Sequence, residues 1–290
     1  MTVFEFLIAP FTDYAFMRRA LAGACILAVS AGPVGVFLML RRMSLMGDAM
    51  AHAILPGAAV GFLFAGLAIL PMTFGGLVAG LFVALLAGAV SRLTIQREDA
   101  SLAAFYLISL ALGVLLVSIK GSSIDLMHVL FGTVLALNDA ALILIGAIAT
   151  VTVASLTIIW RPLLAECMDP VFLRSVSRSG PYAHFIFLML VVLNLVGGFQ
   201  ALGTLLAVGL MMLPALAARF WFRDLEPMCL AAMLIGVVSS YAGLLISYHW
   251  SLASGPAIIL TAGAIYVASL ILAPRGLIVN RLRSQRHRIA

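Results

Sequence analysis

Apolar residues along this chain fall into nine continuous stretches, at about 20–40, 48–70, 72–91, 101–119, 137–160, 183–198, 200–218, 227–248 and 254–273. Alternation with period two, the mark of a membrane barrel, is absent. Most of the runs are close to the roughly 20 residues that a helix needs to cross a bilayer. The pattern predicts an all-α polytopic membrane protein with nine transmembrane helices. An eight-span alternative stays open. Gly197-Gly198 and Gly203 leave little room for an outer turn inside 183–218, so that pair could merge or re-enter.

Composition agrees. Hydrophobic residues make up 64% of the 290 positions and charged residues 10%. Soluble domains sit near 45–50% and 25%, so this chain could not cover its own surface in water. A cytosolic enzyme, a disordered protein and a secreted disulfide scaffold are excluded. The longest segments between stretches, about 120–136 and 161–182, are too short for a soluble domain, so residues 1–290 read as one transmembrane domain.

The net charge of +6 comes from 16 Arg and Lys120 against 11 acids. If the loop at Arg41-Arg42 is cytoplasmic, alternation of nine spans puts 14 basic residues inside, among them the tail at about 274–290. Only Arg18, Arg19 and Lys120 then lie outside. The positive-inside rule selects this orientation, with a cytoplasmic C-terminus, and explains the excess charge without nucleic acid. Cys25, Cys167 and Cys229 are isolated, so neither a disulfide framework nor a thiolate metal site is expected. Residues 1–17 carry Glu5 and Asp13 and lack a basic n-region, so the first span is expected to be retained. No GxxxxGK[ST] motif occurs, so ATP is not hydrolysed here by a P-loop.

Asp48 is a carboxylate inside a stretch, and His52 follows it four residues later. That spacing puts both on one helix face, about 6 Å apart along the axis. A carboxylate oxygen and an imidazole nitrogen converging there suit a divalent ion such as Zn²⁺ or Mn²⁺. The alternative is an Asp48 near the headgroups at a helix N-terminus, where the macrodipole favours it, with His52 an interior histidine. Pro56 adds a helix break, because its ring nitrogen cannot bond the His52 carbonyl. That carbonyl then needs water, a polar group or a cation.

The other histidines are weaker candidates. Asp125 and His128 could mark a point of ion access on the outer segment, although a solvated loop or a protein contact is the simpler reading. His249 lies beside Tyr248 and Trp250, as at a membrane interface. His184 and His287 receive no role. The 14 Met residues read as packing. In the inner loop, Asp169-Pro170 is an N-cap with Pro at the first helical position, followed by apolar Val171, Phe172 and Leu173. A short surface helix is expected, either lying on the membrane or entering a groove of a partner.

The run Gly35–Gly57, with Arg41-Arg42-Met43-Ser44-Leu45-Met46-Gly47-Asp48-Ala49-Met50-Ala51-His52 at its centre, resembles the signature of bacterial zinc/manganese ABC importer permeases. Phe131-Gly132, Asp169-Pro170, Gly203-Thr204-Leu205-Leu206, Leu213-Pro214-Ala215, Gly243–Tyr248 and Ser254-Gly255 agree in order. The resemblance covers about residues 15–275. One departure is Ala253-Ser254-Gly255-Pro256, where the family often has a proline before the Ser-Gly pair.

The resemblance implies a permease of the fold shared with cobalamin and siderophore importers, in the bacterial inner membrane. It implies a second copy of the chain around a central path, cytoplasmic ATPase subunits and an extracytoplasmic metal-binding protein. Asp48 and His52 would lie on the translocation path, and Asp169, Pro170, Val171 and Phe172 would form the loop that couples to the ATPase. The expected cargo is zinc, favoured by nitrogen ligation, with manganese or iron as the alternative; no permanently bound cofactor is expected. A proton-coupled secondary transporter using Asp48 as a relay is the rival class. An intramembrane hydrolase lacks both HExxH and a second membrane carboxylate.

Overall fold

The computed structural model describes residues 6–66, 68–96, 98–119, 134, 137–168 and 179–277. Its helices are α1 (Ala9–Asp13), α2 (Ala15–Leu40), α3 (Met46–Ala53), α4 (Leu55–Ala65), α5 (Ile69–Leu93), α6 (Glu98–Ile119), α7 (Asp139–Met168), α8 (Ser179–Leu202), α9 (Thr204–Trp221), α10 (Leu225–Trp250) and α11 (Ser254–Leu272). Among the described residues there is no strand. A helix satisfies its backbone N–H and C=O groups internally, as a hydrocarbon solvent demands.

Among the described residues eight spans are long and apolar enough to cross a membrane, α3 and α4 counting together as one. The ninth stretch is α6, whose apolar part, Ala100–Leu116, is shorter. The pair 183–218 is two helices, α8 and α9, joined at Gly203 alone. Gly203 takes φ +93°, where a side chain would be strained. Several expected boundaries move. The helix of stretch 137–160 runs on through Pro162 to Met168, eight residues further than expected. Stretch 48–70 breaks at Ile54, and α5 already starts at Ile69.

α2 and α8 are the most buried spans and α11 the least. α2 packs against α7, α8, α9 and α10. Without a hydrophobic force between helices in lipid, close approach rests on small residues. Gly32 lies against the backbone of Ala232 and Met233, and a Cβ on Gly35 would overlap the Met211 carbonyl. The α4–α5 crossing is tighter still. A Cβ on Gly57 would overlap the Gly75 carbonyl, and one on Gly75 the Gly57 carbonyl.

The turn after α2 carries the Arg pair. Met43 N–H bonds Leu38 O at 2.9 Å and Arg42 N–H bonds Met39 O at 3.1 Å, which is a Schellman stop. Arg42 occupies its left-handed position, φ +59°, where glycine is usual. At the opposite end of the bundle, Arg19 Nε pairs with Asp139 Oδ1 at 3.1 Å and Arg18 donates to Thr12 O at 2.8 Å. The two arginines that break the charge asymmetry are thus partnered locally.

Candidate functional site

α3 is eight residues long, about 12 Å at 1.5 Å per residue. One face is seated: Met46, Met50 and Ala53 are buried, and Gly47 lies against Met212 and Val208 of α9. The opposite face is open, and it carries Leu45, Asp48 and His52. Asp48 Oδ1 and His52 Nε2 are 3.9 Å apart, with 70% and 41% of their side chains exposed. The sequence spacing therefore does bring both groups to one point.

Two metal bonds of about 2.0–2.2 Å span up to about 4 Å, so one ion fits between these atoms. Among the described residues no group of three or more His, Cys, Asp and Glu side chains surrounds an ion. The described residues thus offer a carboxylate oxygen and an imidazole nitrogen at this point. Asp48 sits in the first turn of α3, where the helix dipole favours its charge, so the two readings of that position are compatible.

Two neighbours shape the site. Tyr106 of α6 stacks beside the His52 ring, with centroids 6.2 Å apart and planes at 29°. Sequence reading did not find it, because nothing local links residue 106 to residue 52. Pro56 is the second residue of α4, just after the break at Ile54. The Ile54 N–H faces the Met50 and His52 carbonyls, and Ser109 Oγ donates to Ala53 O at 2.9 Å. The polar partners expected at the break are thus backbone and serine.

Asp169, Pro170, Val171 and Phe172 lie outside the described residues, as do Asp125, His128, Phe131 and Gly132. The His249 Nε2 meets Phe6 O at 3.0 Å, and its ring stacks on Phe6 at 4.1 Å between centroids. His184, given no role from sequence, joins a buried ion cluster with Arg41 and Glu166.

Residues 13–273 match the ABC 3 transport family. The chain belongs to that family. Like the rest of this family it is a permease, the membrane subunit of a metal ABC importer, and not an enzyme; ATP hydrolysis belongs to a separate subunit. It is 32% identical over 263 residues to the manganese import system permease protein ScaB of Streptococcus gordonii, covering 91% of this chain and 93% of that one. It is 30% identical over 269 residues to the chelated iron transport system membrane protein YfeD of Yersinia pestis, covering 93% and 89%. The solved structure of PsaBC from Streptococcus pneumoniae, in complex with Fab, superposes with a TM-score of 0.84 at 31% identity, covering 98% of this chain and 100% of that one. Family members of this kind are multi-pass proteins of the bacterial membrane.

Proposed function

We propose that this permease carries manganese into the cytoplasm, with Asp48 and His52 holding the ion transiently on its path. The observation that carries the metal is the name of relatives about one third identical over nine tenths of the chain, which are manganese import permeases. The site chemistry supports it. A carboxylate, one imidazole and open positions for water or another chain suit Mn²⁺, and no cysteine lies on α3. The nitrogen ligand that favoured zinc is one of two, and by itself does not select zinc over manganese.

Two ligands per chain support assembly around a second copy, whose own Asp48 and His52 would complete four positions. A site built for passage has to release its ion, which an open, incompletely ligated pair does readily. The basic end of the bundle is read as cytoplasmic, with the C-terminus there. An extracytoplasmic binding protein would deliver the ion to the other end.

The test is uptake of labelled manganese by proteoliposomes carrying the permease, its ATPase and its binding protein. ATP-dependent manganese uptake, poorly competed by zinc, is expected. Uptake of zinc with no uptake of manganese would overturn the choice of metal.

Coupling to the ATPase is assigned to Asp169, Pro170, Val171 and Phe172, on the N-cap-Pro pattern and the apolar pair that follows. Charged residues at Val171 and Phe172 are expected to release the ATPase during co-purification while the permease stays monodisperse. An ATPase that still co-purifies would remove the assignment.

A further inference from the structure

Three ionisable side chains other than the Asp48–His52 pair converge at the basic end of the bundle. Arg41 caps α2, Glu166 lies near the end of α7, and His184 lies in the second turn of α8. Arg41 Nη2 donates to Glu166 Oε1 at 3.0 Å and to His184 Nδ1 at 2.6 Å. Glu166 Oε1 and His184 Nδ1 are 3.8 Å apart, and the guanidinium stands 5.3 Å over the Phe187 ring. The three side chains are only 10–11% exposed. A guanidinium can only donate, so Nδ1 is the acceptor in this contact.

Such a cluster is a poor device for stability alone. Desolvating buried charges offsets most of their attraction, and apolar replacements of similar volume often fold as well or better. Its placement suggests another role. Glu166 and His184 stand at the two flanks of segment 169–178, on α7 and α8. Arg41 stands at the head of the short turn that leads into α3 and Asp48. That turn is stiff: its Schellman bonds and the left-handed Arg42 leave little freedom between Arg41 and Met43. Arg41 Nη1 and Glu166 Oε2 are buried and lack partners among the described residues, so the cluster has capacity for a second set of contacts.

We propose that Arg41, Glu166 and His184 are positioning residues that transmit movement of the α7 and α8 ends to the metal-bearing helix α3. The proposal rests on the reading that the loop between α7 and α8 is where the ATPase docks. A shift of either flank pulls on the guanidinium, and through the Arg41–Met43 turn it changes how α3 presents Asp48 and His52.

The test replaces the cluster by apolar residues, Arg41→Met with Glu166→Leu and His184→Leu, in the full complex. Because apolar clusters of this kind tolerate burial, the variant is expected to assemble and to melt at or above the wild-type temperature. The ATPase should run at the wild-type rate or faster, while ions moved per ATP fall about tenfold, within the usual range for loss of coupling between sites. An assembled variant with the wild-type ratio of ions to ATP would overturn the proposal. If the triple variant does not assemble, Glu166→Gln, which keeps the shape and removes the charge, carries the same test with the same two outcomes. The ratio is read with whichever divalent ion the wild type moves. Failure of the metal assignment is seen separately, in the wild type and in Asp48→Ala.

Discussion

Asp48→Ala and His52→Ala are each expected to bring manganese uptake to background while the permease still assembles with its ATPase. The two side chains are the ionisable pair that α3 turns toward its open face, 3.9 Å apart. Neither is buried, so removing one leaves no unpaired charge in the core, and folding should survive. The ion, on the proposed reading, loses one of the two ligands that the described residues provide. Loss of a mere outer-shell partner costs about 10–100-fold in metal affinity or activity, so loss of a direct ligand should exceed that range. Labelled-ion uptake normalised to assembled complex is the measurement. Normal uptake by both variants would mean that the pair is a helix-end feature and that the ion passes elsewhere.

Gly57→Val is expected to be the most damaging single change to stability. Its Cβ would overlap the Gly75 carbonyl, and the neighbouring atoms are backbone and the Ala79 methyl, none of which can rotate away. Overpacking a core costs about 1–3 kcal/mol and occasionally more. A collision with backbone forces α4 and α5 apart, which puts this case at or above the upper end. The crossing begins one residue after Pro56, so displacement would also disturb the break that sets the direction of α3. Thermal unfolding in detergent should shift strongly downward and the monodisperse fraction should fall. Gly146→Ala is the control, since a Cβ there would meet nothing within 4 Å. Equal behaviour of the two variants would show that the α4–α5 contact is loose in the membrane.

The helices were legible because hydrocarbon allows few alternatives. Continuous apolar runs located every membrane-length helix, and Pro56 announced the break that appears at Ile54. The ends were less legible where a helix leaves the apolar zone. Residues Arg161 to Met168 read as loop because they contain Arg161, Pro162 and Glu166, yet α7 continues through them. Pro162 is tolerated there, and the Glu166 charge is answered by Arg41, 125 positions earlier in the chain.

That distance explains what sequence reading missed. Asp48 and His52 meet through the helix repeat, so their spacing reveals them. Arg41, Glu166 and His184 meet only after three helices have packed, and no period connects them. Tyr106 reaches His52 in the same way, from a separate helix. The choice between zinc and manganese was beyond sequence reading for a different reason: one carboxylate and one imidazole suit both ions.

The joint at Gly203 has a mechanical consequence. One residue connects α8 to α9, the Gly203 N–H bonds Phe199 O at 3.0 Å, and the Ala207 N–H bonds Gly203 O at 3.1 Å. Such an elbow has no slack, so its two arms can pivot about Gly203 but cannot slide lengthwise past each other. A lengthwise shift of the α8 arm, which carries His184, is therefore passed to the α9 arm, and α9 presents Val208 and Met212 to Gly47, one residue before Asp48. The helix proposed to bear the metal is thus held from both sides, through the arginine turn at its start and through the face on which it is seated.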